Sequence, residues 1–148
     1  RFGILTAGVM RAFYRNSEGQ EYNKHFFMPM SFVGAYSSLI TGQPNRIIQQ
    51  ALTDCTVWTA DHAAFCSLFD ECRDLERLGR RLAELYFVAK EQREVEIVLL
   101  DADKRYEILQ QQHPELEQLV PQYHIASYLG ITPTQLSRIR RSRFVAGR

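Results

Sequence analysis

Arg138, Arg140, Arg141 and Arg143 crowd the end of a 148-residue chain. A guanidinium donates in a planar fork that fits phosphate oxygens or the major-groove edge of guanine. Just upstream, Thr132, Thr134, Gln135 and Ser137 add hydroxyl and amide groups able to reach base edges and phosphates. The chemistry these residues offer is hydrogen-bonded recognition of a polyanion, with no bond made or broken. A second set, Cys66 and Cys72 with His62, holds a thiol nucleophile and an imidazole base, and Asp61 or Asp70 could orient the base. Nearness in sequence is all that supports that set. The three cysteines, Cys55, Cys66 and Cys72, form no C-x-x-C unit and leave an odd count, which reads as packing in a reducing compartment. A non-enzyme with no metal site is expected.

The elements that must position the polar row are two short helices. Pro121 suits a first helical turn, and Tyr123 to Leu129 forms the first helix. Gly130 ends it, where a left-handed backbone costs little. Thr132-Pro133-Thr134-Gln135 has the form of a capping box, with proline at the first helical position of the next helix. Ile125, Leu129, Ile131, Leu136 and Ile139 then face inward, and Ala126 lets the helices approach. Thr134, Gln135, Ser137, Arg138 and Arg141 face outward. The pattern is a helix-turn-helix, against the plainer reading of a helical hairpin with a solvated basic face.

Charge is polarised in the same sense. From Val120 onward there are five arginines and no carboxylate, whereas residues 1–119 carry 13 basic and 17 acidic groups, so an overall +1 hides +5 against −4. A basic end on an acidic body fits double-stranded DNA as the partner. With 45% apolar and 24% charged residues, the chain is a soluble globular type. No apolar run is long enough to span a membrane, so no membrane partner is expected. The chain opens on Arg1, and Phe2 to Val9 is too short and interrupted for a secretory leader. A preceding segment and a cytoplasmic location are expected.

Residues 1–66 read as a partial β-roll. Val9 to Arg15, a turn over Asn16 to Gln20 and Tyr22 to Met28 form a hairpin. Ser31 to Tyr36, Arg46 to Ala51 and Thr53 to Ala60 read as further strands. Residues 67–98 read as one long amphipathic helix, with Leu68, Cys72, Leu75, Leu78, Leu82, Leu85 and Ala89 recurring at three or four. Such a seam predicts a homodimer through Leu75, Leu78, Leu82 and Leu85, with Gly79 admitting a neighbouring helix; packing within one chain is the alternative. Residues 99–148 read as the DNA-binding domain. Asp101-Ala102-Asp103 starts its first helix, and His113-Pro114 breaks it near Gln112.

That order of elements resembles the Crp/Fnr family of bacterial transcription regulators, and particular residues carry the resemblance. Phe32-Val33-Gly34 and Gly42-Gln43-Pro44-Asn45-Arg46 resemble the family's phosphate-binding cassette and following turn. Ala51-Leu52-Thr53-Asp54-Cys55-Thr56-Val57 resembles the next roll strands, and Ile125-Ala126-Ser127-Tyr128-Leu129-Gly130-Ile131 the DNA-binding helix and turn. The resemblance spans nearly the whole chain and implies an α+β fold: a cyclic-nucleotide-binding-like roll, a dimerisation helix and a helix-turn-helix.

Departures from the family pattern shape the functional expectation. Where cyclic-nucleotide binders place a ribose-binding Glu and an Arg-Ser pair, this chain has Ala35 and Asn45-Arg46. On the long helix, Lys90 and Glu91 replace the hydroxyls that face the base. Cyclic AMP is therefore disfavoured, and iron-sulfur sensing is not expected. Gly34, Ala35, Tyr36, Ser37, Ser38, Asn45 and Arg46 remain as a pocket for an unidentified small-molecule effector, with roll packing and turn hydrogen bonds as the alternative. Ser142 to Arg148 are too few for the hairpin wing that follows the recognition helix in many members. The resemblance implies a homodimeric, sequence-specific DNA-binding regulator. A ligand- or protein-binding module with a vestigial DNA-binding domain is the alternative.

Overall fold

The computed structural model describes residues 1–146, with side chains through Arg143. Strands β1 (Phe2–Ala7), β2 (Met10–Arg15), β3 (Glu21–Phe27), β4 (Phe32–Val33), β5 (Ile48–Ala51) and β6 (Thr56–Ala60) form two antiparallel sheets, ordered β4-β1-β6 and β3-β2-β5. Gly8, at φ 88°, makes the turn from β1 to β2; a side chain there would strike the Asp54 carbonyl oxygen. The predicted hairpin is β2-β3. Asn16 closes its turn, the side-chain oxygen accepting from the amides of Glu18 and Gln20 at 3.0 and 2.8 Å.

Leu5, Ala12, Phe27 and Val33, from four strands, bury one apolar cluster of the roll. The strand expected over Ser31 to Tyr36 is reduced to β4, paired to Gly3 and Ile4, and the chain then turns into a short helix, α1 (Tyr36–Thr41). Local hydrogen bonds favour this outcome. The Thr41 hydroxyl donates to the Ser37 carbonyl at 2.8 Å, and Gly42, left-handed at φ 69°, closes the helix onto the Ser38 carbonyl.

The long helix begins later than its periodicity predicted. A separate helix, α2 (His62–Ser67), comes first, capped by the Asp61 carboxylate, which accepts from the Ala64 amide at 2.9 Å. The main helix, α3, runs from Arg73 to Leu99. Leu68 and Cys72 lie outside it because the intervening turn folds Phe69 back onto α3. The Phe69 ring comes within 3.1 Å of where a Gly79 side chain would begin. Gly79 thus accommodates an aromatic ring of its own chain, a correction to the helix-admitting role expected for it.

With 27 residues, α3 is about 40 Å long. Tyr86 anchors it to the roll, its hydroxyl accepting from the Phe32 amide at 3.0 Å. Of the predicted seam, Leu75 and Leu82 are half-buried, while Leu78 and Leu85 are exposed. The exposed apolar stripe instead follows Leu78, Leu85, Val88, Val95 and Leu99, with Arg81 and Gln92 at its polar steps. From Leu85 its spacing alternates three and four residues, a heptad pattern rotated from the predicted seam.

Beyond α3 come α4 (Ala102–Gln112), α5 (Leu116–Leu119), α6 (Gln122–Leu129) and α7 (Pro133–Ala146). Asp101 caps α4 as expected, accepting from the Lys104 amide at 2.8 Å. A second apolar cluster joins Tyr106, Leu109, Leu116, Ile125, Leu129, Leu136 and Ile139 of these helices to Val9 and Phe26 of the roll. One core therefore joins residues on both sides of residue 99.

Candidate nucleic-acid interface

The helix-turn-helix is α6, a turn and α7. Pro121 occupies the residue before α6, one place earlier than the first helical turn expected for it. Gly130 is left-handed at φ 68°, and the Ile131 amide reaches back to the Ala126 carbonyl at 3.0 Å. The capping box at Thr132 and Gln135 is complete. The Gln135 amide donates to the Thr132 hydroxyl oxygen at 3.2 Å, and the Thr132 amide donates to the Gln135 side-chain oxygen at 2.8 Å. Replacing Thr132 with alanine is expected to cost about 1 kcal/mol, read as a lower thermal midpoint with the fold otherwise intact.

Ile125, Ala126, Leu129, Leu136 and Ile139 are buried, so the outward face of α7 is set by exclusion. Thr134, Gln135, Ser137, Arg138 and Arg141 are all exposed. The Ser137 hydroxyl donates back to the Pro133 carbonyl at 3.0 Å, and Gln135 spends its oxygen on the cap while keeping its amide donors. Arg143 is placed differently. Its guanidinium donates to the Asp103 carbonyl at 2.8 Å and lies 3.4 Å from the Glu107 carboxylate, fastening the end of α7 to α4. Arg140 lies 3.6 Å from the Glu117 carboxylate. Arg138 and Arg141 are thus the arginines of α7 directed to solvent. Residues 142–146 continue α7, and the rest of the segment weighed as a wing, with Arg148, lies outside the described residues.

The far end of α6 is gripped by two arginines that local sequence patterns did not single out. Arg93 of α3 donates to the Tyr128 carbonyl at 2.7 Å, and its guanidinium stacks 3.9 Å from the centre of the Tyr128 ring. Arg105 of α4 donates to the Leu129 carbonyl at 2.9 Å. Both cations meet the negative end of the α6 dipole. Tyr106 of α4 donates to the carboxylate of Glu117 on α5 at 2.6 Å, and burial raises the phenol's pKa well above its ordinary value.

The residues weighed as an effector pocket are mostly engaged locally. A Gly34 side chain would begin 3.1 Å from Phe2, Ala35 precedes α1, and Tyr36 and Ser37 are exposed. The Ser38 hydroxyl donates to the Gln43 carbonyl at 2.6 Å, and the Asn45 side chain accepts from the Ile47 amide at 3.0 Å. Arg46 is exposed in the turn before β5. These bonds give the Ser38 hydroxyl and the Asn45 side chain a turn-forming role. The Cys66 sulfur lies 3.6 Å from a His62 ring nitrogen, but Asp61 caps α2 and does not orient that ring, and Cys72 is exposed. Among the described residues, no three histidine, cysteine or carboxylate side chains are grouped to hold a metal ion. Among the same residues, no helix is long and apolar enough to cross a membrane.

No family model matches the chain. A search of curated proteins also gives no match. Solved structures do match. FixK2 from Bradyrhizobium japonicum superposes with a TM-score of 0.85 at 16% identity, covering 99% of this chain and 75% of that one. A proposed transcriptional regulator of the Crp/Fnr family from Eubacterium rectale gives 0.74 at 17% identity, covering 99% and 70%. CLP, a c-di-GMP-responsive global regulator from Xanthomonas campestris, gives 0.68 at 16% identity, covering 99% and 78%. At these identities the likeness is one of fold, and the order of roll, long helix and helix-turn-helix gives this chain the architecture of the Crp/Fnr regulators.

Proposed function

We propose that this chain acts as a homodimeric, sequence-specific DNA-binding transcription regulator, with α7 as the recognition helix and the β-roll as the sensing part. The observation that carries the reading is the outward row of α7. Thr134, Gln135, Ser137, Arg138 and Arg141 stand exposed on a capped helix whose inner face is buried, in the stretch of sequence that carries five arginines and no carboxylate. Such a row fits the major groove, with Arg138 reading a base and Arg141 meeting phosphate.

The exposed heptad stripe of α3 supports pairing with a second copy. Two helices joined along it would present two recognition helices to half-sites about 34 Å apart. The free thiols of Cys55, Cys66 and Cys72 fit a reducing cytoplasm. CLP is described as responsive to c-di-GMP, so roll-type sensors are not confined to cyclic AMP. In this chain Ala35 supplies no carboxylate for a ribose, which supports an effector other than cyclic AMP.

Fluorescence anisotropy on DNA selected from a randomised pool tests the reading. Affinity should fall steeply with salt, as expected when several phosphates are neutralised. Arg138→Ala should lose about 1 to 3 kcal/mol on the selected site and relax preference at one base position. Equal loss on every sequence would make Arg138 a phosphate contact. Salt-independent or undetectable binding would replace the regulator with a ligand- or protein-binding module.

A further inference from the structure

The roll meets the helix-turn-helix through a buried polar seam, and its composition is specific. Arg11 of β2, Asn23 of β3 and His124 of α6 are each more than nine-tenths buried. Arg11 Nη1 donates to the Asn23 side-chain oxygen at 3.0 Å and lies 3.1 Å from His124 Nδ1. The Asn23 amide nitrogen donates to the His124 carbonyl at 2.8 Å and stands 3.3 Å from the same ring nitrogen. Next along α6, the Ser127 hydroxyl accepts from the Asn23 backbone amide and donates to the Glu21 backbone carbonyl, each at 3.0 Å.

This geometry fixes the state of the imidazole. A guanidinium has donors and no acceptor, and the Asn23 nitrogen is likewise a donor. Nδ1 of His124 therefore faces two donors and must present its lone pair. A proton on Nδ1 would set a third N–H against them and place a second positive charge beside Arg11. The other charged group facing the ring, Glu21 of β3, already accepts from both Arg11 and Arg15, at 2.5 and 2.6 Å.

We propose that this seam is an acid-released latch: His124, when neutral, holds α6 against the β-roll, and its protonation frees the helix-turn-helix from the sensing part. The proposal does not depend on what α7 binds. Burial, then the Arg11 charge, lowers the His124 pKa, while Glu21 opposes them. A second histidine of β3 stands across from Ala12, its ring centre 4.9 Å from that of Phe27. His25 of β3 is pushed down to about 4 by burial, with His113, Lys24 and Arg93 adding positive charge around it. Since the docked-state values are lowered, docking is strongest above the ordinary histidine pKa of about 6.5 and weakens as pH falls below it.

Hydrogen-deuterium exchange on the full chain, corrected for the intrinsic pH dependence of exchange, tests the latch. Between pH 7.5 and 5.5, peptides covering Glu21–Phe27 and Gln122–Leu129 should lose protection together by roughly three- to tenfold, while β1 and β6 keep theirs. His124→Gln, which keeps an acceptor and cannot be protonated, should hold that protection and leave only a loss below about pH 5, where His25 begins to titrate. Flat protection in the wild type, equal loss in β1 and β6, or the same response in the variant would overturn the proposal. Should the variant not fold, an NMR titration of the wild-type His124 ring decides it. A midpoint below 6.5 together with loss at the two peptides sustains the latch, and an ordinary or raised midpoint overturns it.

Discussion

Arg11→Ala should lower the stability of the chain by about 3 to 5 kcal/mol, the usual cost of removing one member of a buried charged network. The guanidinium serves Gln50, Asn23, Glu21 and His124 together. Its loss strands the Asn23 side-chain oxygen, which is buried and accepts from Arg11, while Gln50, exposed on β5, can turn to water. Arg11→Lys should rescue little, because an ammonium cannot reach four partners from one plane. The contrast is Arg15→Ala. Arg15 also binds Glu21, but its side chain is half exposed, so the change should cost under about 1 kcal/mol. Urea denaturation of the three variants measures the difference, and near-equal midpoints for Arg11→Ala and Arg15→Ala would refute the assignment of Arg11 as the keystone of the seam.

Val95→Glu should convert the proposed dimer to monomers. Val95 is about half exposed on the α3 stripe, so in an isolated chain the substitution removes little buried surface and leaves the fold intact. In a paired helix it places two carboxylates in an apolar seam, at several kcal/mol unless the helices part. Light scattering should report the monomer mass. Affinity for a two-half-site DNA should fall by about a hundredfold or more, the second half-site losing its tether, while affinity for one half-site stays unchanged. Leu82→Glu is the poorer probe, because Leu82 is half-buried within its own chain and would weaken the fold as well. A Val95→Glu protein that remains dimeric would remove α3 as the pairing surface.

The helix-turn-helix was legible in the sequence because its signals are local. Gly130, the Thr132–Gln135 box and the inward leucines and isoleucines each act within four residues, and each is found where expected. The roll was legible in its hairpin and less so where strand and helix compete. Ser31 to Tyr36 reads as a strand, yet β1 pairs with only Phe32 and Val33 of it, and the chain turns into a helix from Tyr36 onward. Periodicity showed that α3 has an apolar face but not which part of it the roll covers. That decision rests on Tyr86 and Phe69 touching distant residues. Arg11, Asn23, Arg93 and Arg105 were invisible for the same reason, since Arg11 and His124 meet across 113 positions of sequence.

The grip of Arg93 on Tyr128 also bears on how force would pass through the molecule. Arg93 sits six residues before Leu99, the last residue of α3, a short arm of about 9 Å beside a long arm of about 30 Å reaching back to Arg73. The covalent joint at Leu100 and Asp101 is therefore bridged in parallel by a side-chain strut. Tilting α3 at its far end turns that strut about the joint and pulls on the carbonyl end of α6. Movement is geared down in amplitude and geared up in force, suited to shifting a tightly packed helix by a fraction of a turn.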